Sequence, residues 1–413
     1  MKQESTPHVL IVGAGITGLL VAQGLKKASH PLPLPHEGIR CTIFEAEPSA
    51  THYRPREWGM SIHWSLPFLR DCLPDELLSR FKSTTVDPSY EPPDNFLIPT
   101  INGKTGELMK ALPLGLLYRV ARRKFRSLCA EGMQVEYGKT LKSIEYRDES
   151  VVAMFEDGTE AVGTLLVGAD GAQSRVRMNL FGEKGKAKGI PYSAINMHIE
   201  YKDAEKAQFV RSIHPIMSHA VHPDGYWIWI SIQDVPNPND PSTWMFQLMS
   251  TWKAREGENV TSLEALREKA RHFAEPFRSA VEWIPEGTRV FENKVSCWIT
   301  EPWDNHQGRI VLAGDAAHPM TFQRGQGLNH CIADASKLKK CIKEAASGTK
   351  TWVDAIDEYQ REIVERGGDE VKTSLANTAM LHDWSRVVQS PLFQRATAPT
   401  EKFAHSVPVA AKL

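Results

Sequence analysis

The sequence has no surplus of charge of either sign. Its 413 residues include 49 lysines and arginines against 50 aspartates and glutamates, which gives a formal net charge of −1. The basic excess that draws a protein to nucleic acid or to an anionic membrane surface is missing, so we expect no nucleic-acid partner. With 41% hydrophobic and 24% charged residues the composition is typical of a globular chain, and the length suits two domains.

Paired cysteines and metal-binding clusters are also missing. The sequence has no CxxC pair and no group of Cys and His at metal-site spacing, so we predict no metal centre. Scattered cysteines favour a reducing, cytoplasmic setting over a disulfide framework. The six cysteines are Cys41, Cys72, Cys129, Cys297, Cys331 and Cys341.

Long hydrophobic runs are confined to one stretch near the N-terminus. The segment VLIVGAGITGLLVAQGL, residues 9–25, is apolar enough to resemble a signal peptide or a short membrane span. Its regularly spaced glycines, and the lack of a basic region before it, favour a strand, a turn and a helix instead. We therefore predict no integral membrane segment.

The same stretch has the GxGxxG pattern of a dinucleotide-binding turn. It predicts a strand from Val9 to Val12 and a helix that ends near Ala28. In such a turn Gly13 permits the tight bend, Gly15 lets the backbone approach a pyrophosphate, and Gly18 lets the helix pack on the strand. The free N–H groups at the start of the helix favour phosphate.

An acid follows at the end of the next predicted strand. The strand CTIFEAE ends at Glu45, where a carboxylate can bind ribose hydroxyls. The spacing from Gly18 to Glu45 exceeds the usual value of about 20 residues. The reason is a proline-rich loop, SHPLPLPHEG, inserted between the helix and the strand.

Two further motifs join a strand to a turn. GTLLVGADGAQSRVR, residues 163–177, predicts a strand that ends in Asp170 and Gly171. AGDAAHPMTFQRGQGLNH, residues 313–330, places Asp315 after the strand RIVL and before a glycine-rich turn and a helix.

An amphipathic helix between the GAGITG turn and the motif at residues 163–177 starts with basic residues near Arg122. The helix macrodipole prefers acids at that end. Either a solvated face or a bound anion would explain the basic start.

Together the motifs GAGITG, GADGAQSRVR and GDAAHPMTFQRGQGLNH closely resemble the para-hydroxybenzoate hydroxylase family, the class A flavoprotein monooxygenases. The likeness covers nearly all of residues 8–345, with the motifs in the family's order and spacing. Residues 222–244 resemble the fungal branch of the family, which modifies secondary metabolites.

The resemblance implies an α/β fold. It consists of a Rossmann-like FAD-binding domain of the glutathione-reductase type, an inserted, mostly antiparallel β-sheet substrate domain, and C-terminal helices. The expected division is a discontinuous FAD-binding domain of residues 1–85, 115–185 and 291–347, a substrate domain of residues 86–114 and 186–290, and a C-terminal helical segment of residues 348–413.

The resemblance also implies FAD, bound tightly and without a covalent bond, and NAD(P)H as a transient reductant, with NADPH favoured. Glu45 matches the ADP-binding fingerprint, Asp315 matches the acid at the ribityl chain, and Gly327 starts the helix beside the isoalloxazine ring. Arg56 and Gly59 match an FAD-contacting segment more loosely. The full set of cofactor-binding residues is Gly13, Gly15, Thr17, Gly18, Glu45, Arg56, Gly59, Arg122, Asp170, Asp315, Gly325, Gly327, Leu328 and Asn329.

The activity implied by the family is insertion of one oxygen atom from O2, through a flavin C4a-hydroperoxide, into an aromatic, indole or polyketide/terpenoid-type secondary metabolite. Hydroxylation, epoxidation and Baeyer–Villiger insertion all stay open. The alternatives are a flavin oxidase or dehydrogenase without oxygen transfer, or a non-catalytic flavoprotein on the same fold. We expect an apolar or aromatic small molecule and O2 as partners, and a monomer or a homodimer.

The sequence indicates the substrate-pocket and catalytic residues less directly than it indicates the cofactor-binding residues. In GYWIWIS, Trp227 and Trp229 share one strand face and Tyr226 lies on the other, so one face either lines a pocket or packs in the core. The run nearly matches a halogenase signature, which fails at Ser231 and Ile232. The candidate pocket residues are His63, Tyr226, Trp227, Trp229 and Pro319. The candidate catalytic residues are Arg324, His214 and Trp229, while no general base can be named among His63, His214, His219 and His222.

Overall fold

The computed structural model describes residues 7–28, 39–52, 57–258, 260–396, 398 and 412. The strands are β1 (His8–Val12), β2 (Arg40–Glu45), β3 (Gly59–Ile62), β4 (Phe96–Asn102), β5 (Leu108–Gly115), β6 (Tyr118–Ala121), β7 (Val135–Tyr137), β8 (Leu141–Arg147), β9 (Ser150–Phe155), β10 (Glu160–Gly163), β11 (Leu165–Gly168), β12 (Lys188–Glu200), β13 (Met217–His222), β14 (Tyr226–Asp234), β15 (Met245–Lys253), β16 (Glu292–Cys297) and β17 (Ile310–Leu312). The helices are α1 (Ile16–Ala28), α2 (Leu66–Cys72), α3 (Asp75–Ser79), α4 (Arg122–Ala130), α5 (Arg175–Phe181), α6 (Ala204–Val210), α7 (Leu263–Ala270), α8 (Phe277–Glu282), α9 (Gly327–Ala346), α10 (Trp352–Leu381) and α11 (Pro391–Arg395).

A parallel sheet carries the dinucleotide-type motifs. Its five strands run in the order β17-β11-β1-β2-β7. β1, β11 and β17 are rich in Val, Ile and Leu, which is typical of strands covered on both faces. The β1–α1–β2 unit forms as predicted, with α1 ending at Ala28. The carboxyl ends of β1, β11 and β17 therefore meet at one edge, which brings the three motifs together.

A second, larger sheet is mainly antiparallel. Its seven strands run in the order β16-β12-β15-β14-β13-β4-β5, with only β4 and β13 paired in parallel. The central strand β14, YWIWISIQD, is built of aromatic and β-branched residues, which suit a pleated sheet. The α/β class, with a parallel sheet and a separate mainly antiparallel one, is confirmed.

One strand crosses the predicted domain boundary. β16 pairs with β12 at the edge of the seven-stranded sheet, although the sequence assigned residues 291–347 to the FAD-binding domain. This pairing could not be predicted, because β16 follows β12 only after a long excursion of the chain. The other boundaries stay predictions.

Two large hydrophobic cores hold most of the buried apolar side chains of the described residues. One packs around the parallel sheet and includes Leu10, Ile332 and Tyr359. The other packs around the seven-stranded sheet and includes Trp227 and Leu381. The long helix α10 contributes Tyr359 to the first core and Leu381 to the second, so it joins them. No described helix combines the length and the hydropathy that crossing a bilayer requires.

Candidate active site

The glycine-rich turn lies between β1 and α1, closed against the neighbouring strand. Gly13 adopts a φ of 109°, and a Cβ added there would stand 2.4 Å from the carbonyl oxygen of Ala169. A Cβ on Gly18 would stand 2.1 Å from the carbonyl oxygen of Gly13. Glycine is therefore required at both positions, while the space around Gly15 is open to within 4.0 Å.

Two charged side chains fix the peptide of Ala14 in this turn. Glu45 Oε2 accepts a hydrogen bond from the Ala14 N–H at 2.8 Å. From α4, Arg126 Nε donates to the Ala14 carbonyl at 2.8 Å. The acid predicted to bind ribose therefore lies beside the turn.

The basic start of α4 is largely paired within the protein. The Arg122 guanidinium lies 4.6 Å from the centre of the Trp58 ring. Arg123 pairs with Glu57 at 2.9 Å, and Lys124 pairs with Asp234 at 2.6 Å. Neither a purely solvated face nor a bound anion is needed to explain these basic residues.

The second motif is joined to the third by a buried arginine. Asp170 accepts hydrogen bonds from Ser174 Oγ at 2.5 Å and from the Arg175 N–H at 2.6 Å, so its carboxylate caps α5. Burial raises the pKa of this carboxyl, although these hydrogen bonds act in the opposite direction. Arg177 donates to the carbonyls of Asp315 at 3.2 Å and Ala316 at 2.8 Å.

The Asp334 carboxylate of α9 holds the turn after β17 by hydrogen bonds. Asp334 Oδ2 accepts from the Gly314 N–H and pairs with His318 Nε2, both at 2.7 Å. Its Oδ1 accepts from Arg366 at 2.5 Å. Burial alone would raise the pKa of the Asp334 carboxyl, but the positive charges of His318 and Arg366 hold it below its ordinary value.

Asp315 has the opposite environment within the same turn. Its side chain is exposed, and its carboxylate accepts no hydrogen bond from the described residues. Enclosure by the surrounding protein nevertheless raises the pKa of this carboxyl, against the positive charges of His318 and Arg177. An accessible, unpaired carboxylate is an acceptor available to a ligand.

The start of α9 lies next to Asp315. A Cβ added to Gly327 would lie 3.9 Å from Asp315 Oδ1, while Gly325 is exposed and has a φ of 62°. The Leu328 and Asn329 side chains are buried instead. Asn329 Oδ1 accepts hydrogen bonds from the His63 N–H at 3.0 Å and from Ser65 Oγ at 2.8 Å. Only the backbone of residues 328 and 329 can therefore face a ligand.

The aromatic face of β14 lies opposite the turn that precedes α9. Trp227 and Trp229 share this face, with ring centroids 5.9 Å apart, and Phe322 lies 6.1 Å from Trp227. Trp227 is fully buried and Trp229 is half-buried. The predicted alternation along GYWIWIS is therefore present, with Trp229 open on this face.

A histidine fixes the Trp227 ring in place. Trp227 Nε1 is a donor only, so His219 Nδ1 accepts its hydrogen bond at 3.0 Å. His219 Nε2 then carries the proton and donates to Thr100 Oγ1 at 2.7 Å. Burial lowers the pKa of His219 to about 3, so this chain forms with the neutral ring.

Several predicted pocket and catalytic residues lie elsewhere. Arg324 is buried and ion-paired with Glu370 of α10, so it neither faces solvent nor points into the cleft. Tyr226 lies on the opposite face of β14 from Trp229, 5.1 Å from the Lys269 Nζ of α7. His214 accepts hydrogen bonds from two backbone N–H groups at its own turn, at 3.1 and 3.2 Å.

His63 and Pro319 are buried as well. His63 Nε2 accepts from Asn329 Nδ2 at 3.0 Å, and burial lowers the pKa of this histidine to about 3. The Pro319 carbonyl accepts from the Trp298 N–H at 3.1 Å. Both residues brace the scaffold in this structure.

The remaining cofactor candidates are Thr17, Gly59 and Arg56. Thr17 packs on Gly314, where an added Cβ would stand 2.4 Å from Thr17 Oγ1. Gly59 donates its N–H to Gln247 Oε1 at 3.0 Å and leaves room for Arg119. Arg56 lies outside the described residues.

Sequence reasoning missed Arg119. Arg119 lies in β6 with only 6% of its surface exposed, and its guanidinium stands 5.4 Å from the centre of the Trp229 ring. The available signal was a charged residue between the apolar Tyr118 and Val120 of a short strand.

Comparison with known proteins places the chain in a family. A family model described as FAD binding domain matches residues 123–373. The FAD-dependent monooxygenase phnB of Penicillium herquei is 42% identical over 95% of this chain and 96% of its own length. The FAD-dependent monooxygenase cctM of Talaromyces islandicus is 38% identical over 94% of this chain and 95% of its own length.

The chain is a class A FAD-dependent monooxygenase of the fungal secondary-metabolite branch. Solved structures agree on the fold. The monooxygenase superposes on 2,6-dihydroxypyridine-3-hydroxylase from Arthrobacter nicotinovorans with a TM-score of 0.74 at 16% identity, covering 99% of this chain and 100% of the other. It superposes on Klebsiella pneumoniae HpxO complexed with FAD and uric acid with a TM-score of 0.72 at 18% identity, covering 98% and 96%.

The residues of the monooxygenase fit FAD. The Asp315 carboxylate is accessible and unpaired, as an acceptor for ribityl hydroxyls must be. The open space at Gly15 and Gly325 admits a ligand to the backbone, and α9 begins beside Asp315. Among the described residues, no group of His, Cys, Asp and Glu is placed to hold a metal ion.

We expect Asp315→Ala to weaken FAD binding by about 10- to 100-fold, because a hydrogen bond to a charged group contributes roughly 1.5–3 kcal/mol. The melting temperature of the apoprotein should not fall, since no described donor loses its partner. Flavin fluorescence during reconstitution measures the first quantity, and circular dichroism measures the second. Asp240→Ala, which uncaps a short turn between β14 and β15, is the control. Equal FAD affinity in both variants would contradict the assignment.

The His219 environment predicts a pH dependence of stability. A folded-state pKa of about 3 lies below the ordinary value of 6.5, so the stability that neutral His219 contributes is present above pH 6.5 and is lost as the pH falls toward 3. Between pH 6.5 and 5, the free energy of unfolding of His219→Gln should fall about 2 kcal/mol less than that of the wild type. Urea denaturation at both pH values measures this, and equal losses would refute the prediction.

Proposed function

We propose that this monooxygenase uses NADPH to reduce its FAD and hydroxylates an aromatic, largely apolar secondary metabolite. The observation that carries the proposal is the aromatic face of Trp227 and Trp229 opposite Phe322. Phe322 belongs to the turn that continues through Gly325 to the start of α9. A flat ring on Trp229 would therefore lie beside the part of the cofactor held near Gly327.

The protein positions and shields the reaction in this proposal. The chemistry with O2 would be supplied by bound FAD, because no protein side chain can react with O2 in this way. The first N–H groups of α9 have no partner within the helix, so they can stabilise negative charge that develops near Gly327. The apolar walls, Trp229 and Phe322, exclude water from the site.

Two observations favour hydroxylation of a ring over the other outcomes. Offset and edge-to-face contacts between aromatic rings favour a planar substrate at a tryptophan face. Two of the solved structures above, at identities that show only the fold, have planar ring compounds in their names: a dihydroxypyridine and uric acid. Epoxidation remains the second outcome, for a substrate whose double bond lies at the same place.

Product analysis under isotopically labelled O2 tests the reaction. Purified holoenzyme would be given NADPH or NADH and a panel of polyketide-type phenols and naphthols. We expect one labelled oxygen atom in the product, and faster consumption of NADPH than of NADH. An oxidised product without label would indicate an oxidase or a dehydrogenase, and no reductant consumption with any substrate would contradict an enzymatic role.

Separate replacement of Trp229 and Tyr226 by leucine tests whether the substrate contacts this face. Trp229→Leu should raise KM for the substrate found in that screen by about tenfold through loss of ring contact, with flavin content unchanged. Tyr226→Leu, one strand face away and beside Lys269, is the matched control and should leave KM unchanged. An equal effect of the two variants would show that the substrate does not contact this face.

A further inference from the structure

A row of three side chains on the substrate face is partly open. Trp229 of β14 lies directly opposite Met249 of β15, and Met249 lies directly opposite Asn196 of β12, so the three side chains share one face of the sheet. Each of them is half-buried. Two interstrand spacings separate Trp229 from Asn196, about 10 Å, so an aromatic ring system with one substituent can contact both ends of this open row.

The open row lies between two covered parts of the same face. On one side, Phe322 of the turn before α9 packs against Trp227 and against a small buried cluster that includes Ala194. On the other side, Gln247 is buried and accepts the N–H of Gly59 from β3. The open row therefore faces the space between β3 and the turn that leads into α9, where the proposed function places the substrate.

The orientation of the Asn196 amide is fixed by its neighbours. Arg119 and the Gly59 N–H can only donate, so the Gln247 atom that they contact, at 2.8 and 3.0 Å, is the oxygen Oε1. The other end of the Gln247 amide, Nε2, is then a donor, and it lies 2.9 Å from Asn196 Oδ1. The remaining polar atom of Asn196, Nδ2, is therefore also a donor.

This donor is available to a ligand. Asn196 Nδ2 has no acceptor among the described residues, and it is not shielded from solvent. The neighbouring donors differ, because Trp229 Nε1 and the Nε2 of His198, the next residue of β12 on this face, are both shielded. Of the three side chains in the open row, Asn196 alone presents a donor that a ligand atom can reach.

We propose that Asn196 Nδ2 donates a hydrogen bond to a neutral carbonyl oxygen of the substrate, and that this bond sets the direction in which the ring lies along the open row. The inference rests on the proposed function, in which the substrate lies on Trp229. A carbonyl oxygen accepts without donating, as an amide N–H requires. A hydroxyl fits less well, because Asn196 Oδ1, the only side-chain oxygen of the open row, already accepts from Gln247.

The fixed amide gives Asn196 a role in specificity. Gln247 holds the amide in place, so the donor is oriented before the substrate binds and little rotamer freedom is lost on binding. A site that donates to a substrate oxygen discriminates against an analogue without that oxygen. Contact with Trp229 fixes the plane of the ring, and the hydrogen bond fixes its rotation within that plane. We therefore expect aromatic ketones to be preferred over hydrocarbons of the same shape.

A matched pair of probes tests the proposal on the oxidised holoenzyme without turnover. 2-Acetylnaphthalene and 2-isopropenylnaphthalene have nearly the same shape, with C=O in the first where the second has C=CH2. Titrations at pH 8 that follow flavin absorbance give the two dissociation constants, and their ratio measures the preference for the ketone. We expect the preference of Asn196→Asp to be roughly 3- to 10-fold lower than that of the wild type, as for loss of one neutral hydrogen bond.

The aspartate variant keeps the shape of the side chain and the oxygen that accepts from Gln247, and it loses only the donor. Asn196→Leu, which loses both, should lower the preference as well. Asn293→Asp is the matched control on the adjacent strand β16, since its Nδ2 already donates to the Phe291 carbonyl at 3.2 Å. It should keep the wild-type preference. Flavin content and circular dichroism confirm that each variant is folded.

Three results would overturn the proposal. The first is a wild type that binds neither probe, and the second is an equal loss of preference in Asn196→Asp and Asn293→Asp. The third is an Asn196→Asp variant with the wild-type preference; a shifted flavin midpoint potential in that variant would identify FAD as the acceptor of this hydrogen bond. A product without labelled oxygen would instead contradict the proposed function and leave the binding result standing.

Discussion

The arrangement of the site depends on the buried carboxylate of Asp334. It accepts the N–H of Gly314, pairs with His318 and receives a hydrogen bond from Arg366. These three contacts join the end of β17, the turn that follows it, α9 and α10. Because Asp334 satisfies the backbone of the turn, Asp315 does not have to, and its carboxylate remains available to a ligand.

Helix α10 supports this turn although none of its residues was predicted to act in the site. Arg366 holds Asp334 from one position, and one turn later Glu370 neutralises Arg324. Removing either partner of a buried ion pair leaves an uncompensated charge, which costs about 3–5 kcal/mol. The loop that bears Phe322 and Gly325 is therefore anchored by charge from a helix that also joins the two hydrophobic cores.

Residues whose role follows from the local backbone could be predicted from the sequence. Gly13 and Gly18 are required by contacts within the turn itself, Glu45 ends the adjacent strand, and Asp315 follows a strand next to a glycine-rich turn. Each of these constraints acts within a strand, a turn and a helix. For that reason the cofactor side of the site, the parallel sheet and the family could all be recognised from three short motifs.

Residues whose role depends on distant partners could not be predicted. Arg324 is neutralised by an acid 46 positions later, and nothing near it in the sequence indicates that pair. Tyr226 and Trp229 occur in one strand, and only the packing of α7 shows which face is covered. Arg119 reaches Gln247, 128 positions away, across two sheets. A charged residue in a short buried strand was visible, but its lack of a counter-charge is a property of the folded chain alone.

Arg119 and Asp315 both lack an ion-pair partner among the described residues. Arg119 is buried without a counter-charge and Asp315 is exposed without one among the described residues, while Asp334, Arg366, Glu370 and Arg324 neutralise one another nearby. Unpaired buried charge lowers the stability of the free protein, and natural proteins retain such groups where function requires them. We expect hydroxyls of FAD to donate to Asp315, which would give its carboxylate the hydrogen bonds that it lacks in the protein alone. Arg119 has no carboxylate partner among the described residues, and its charge is stabilised instead by hydrogen bonds to Ser61, Ser231 and Gln247.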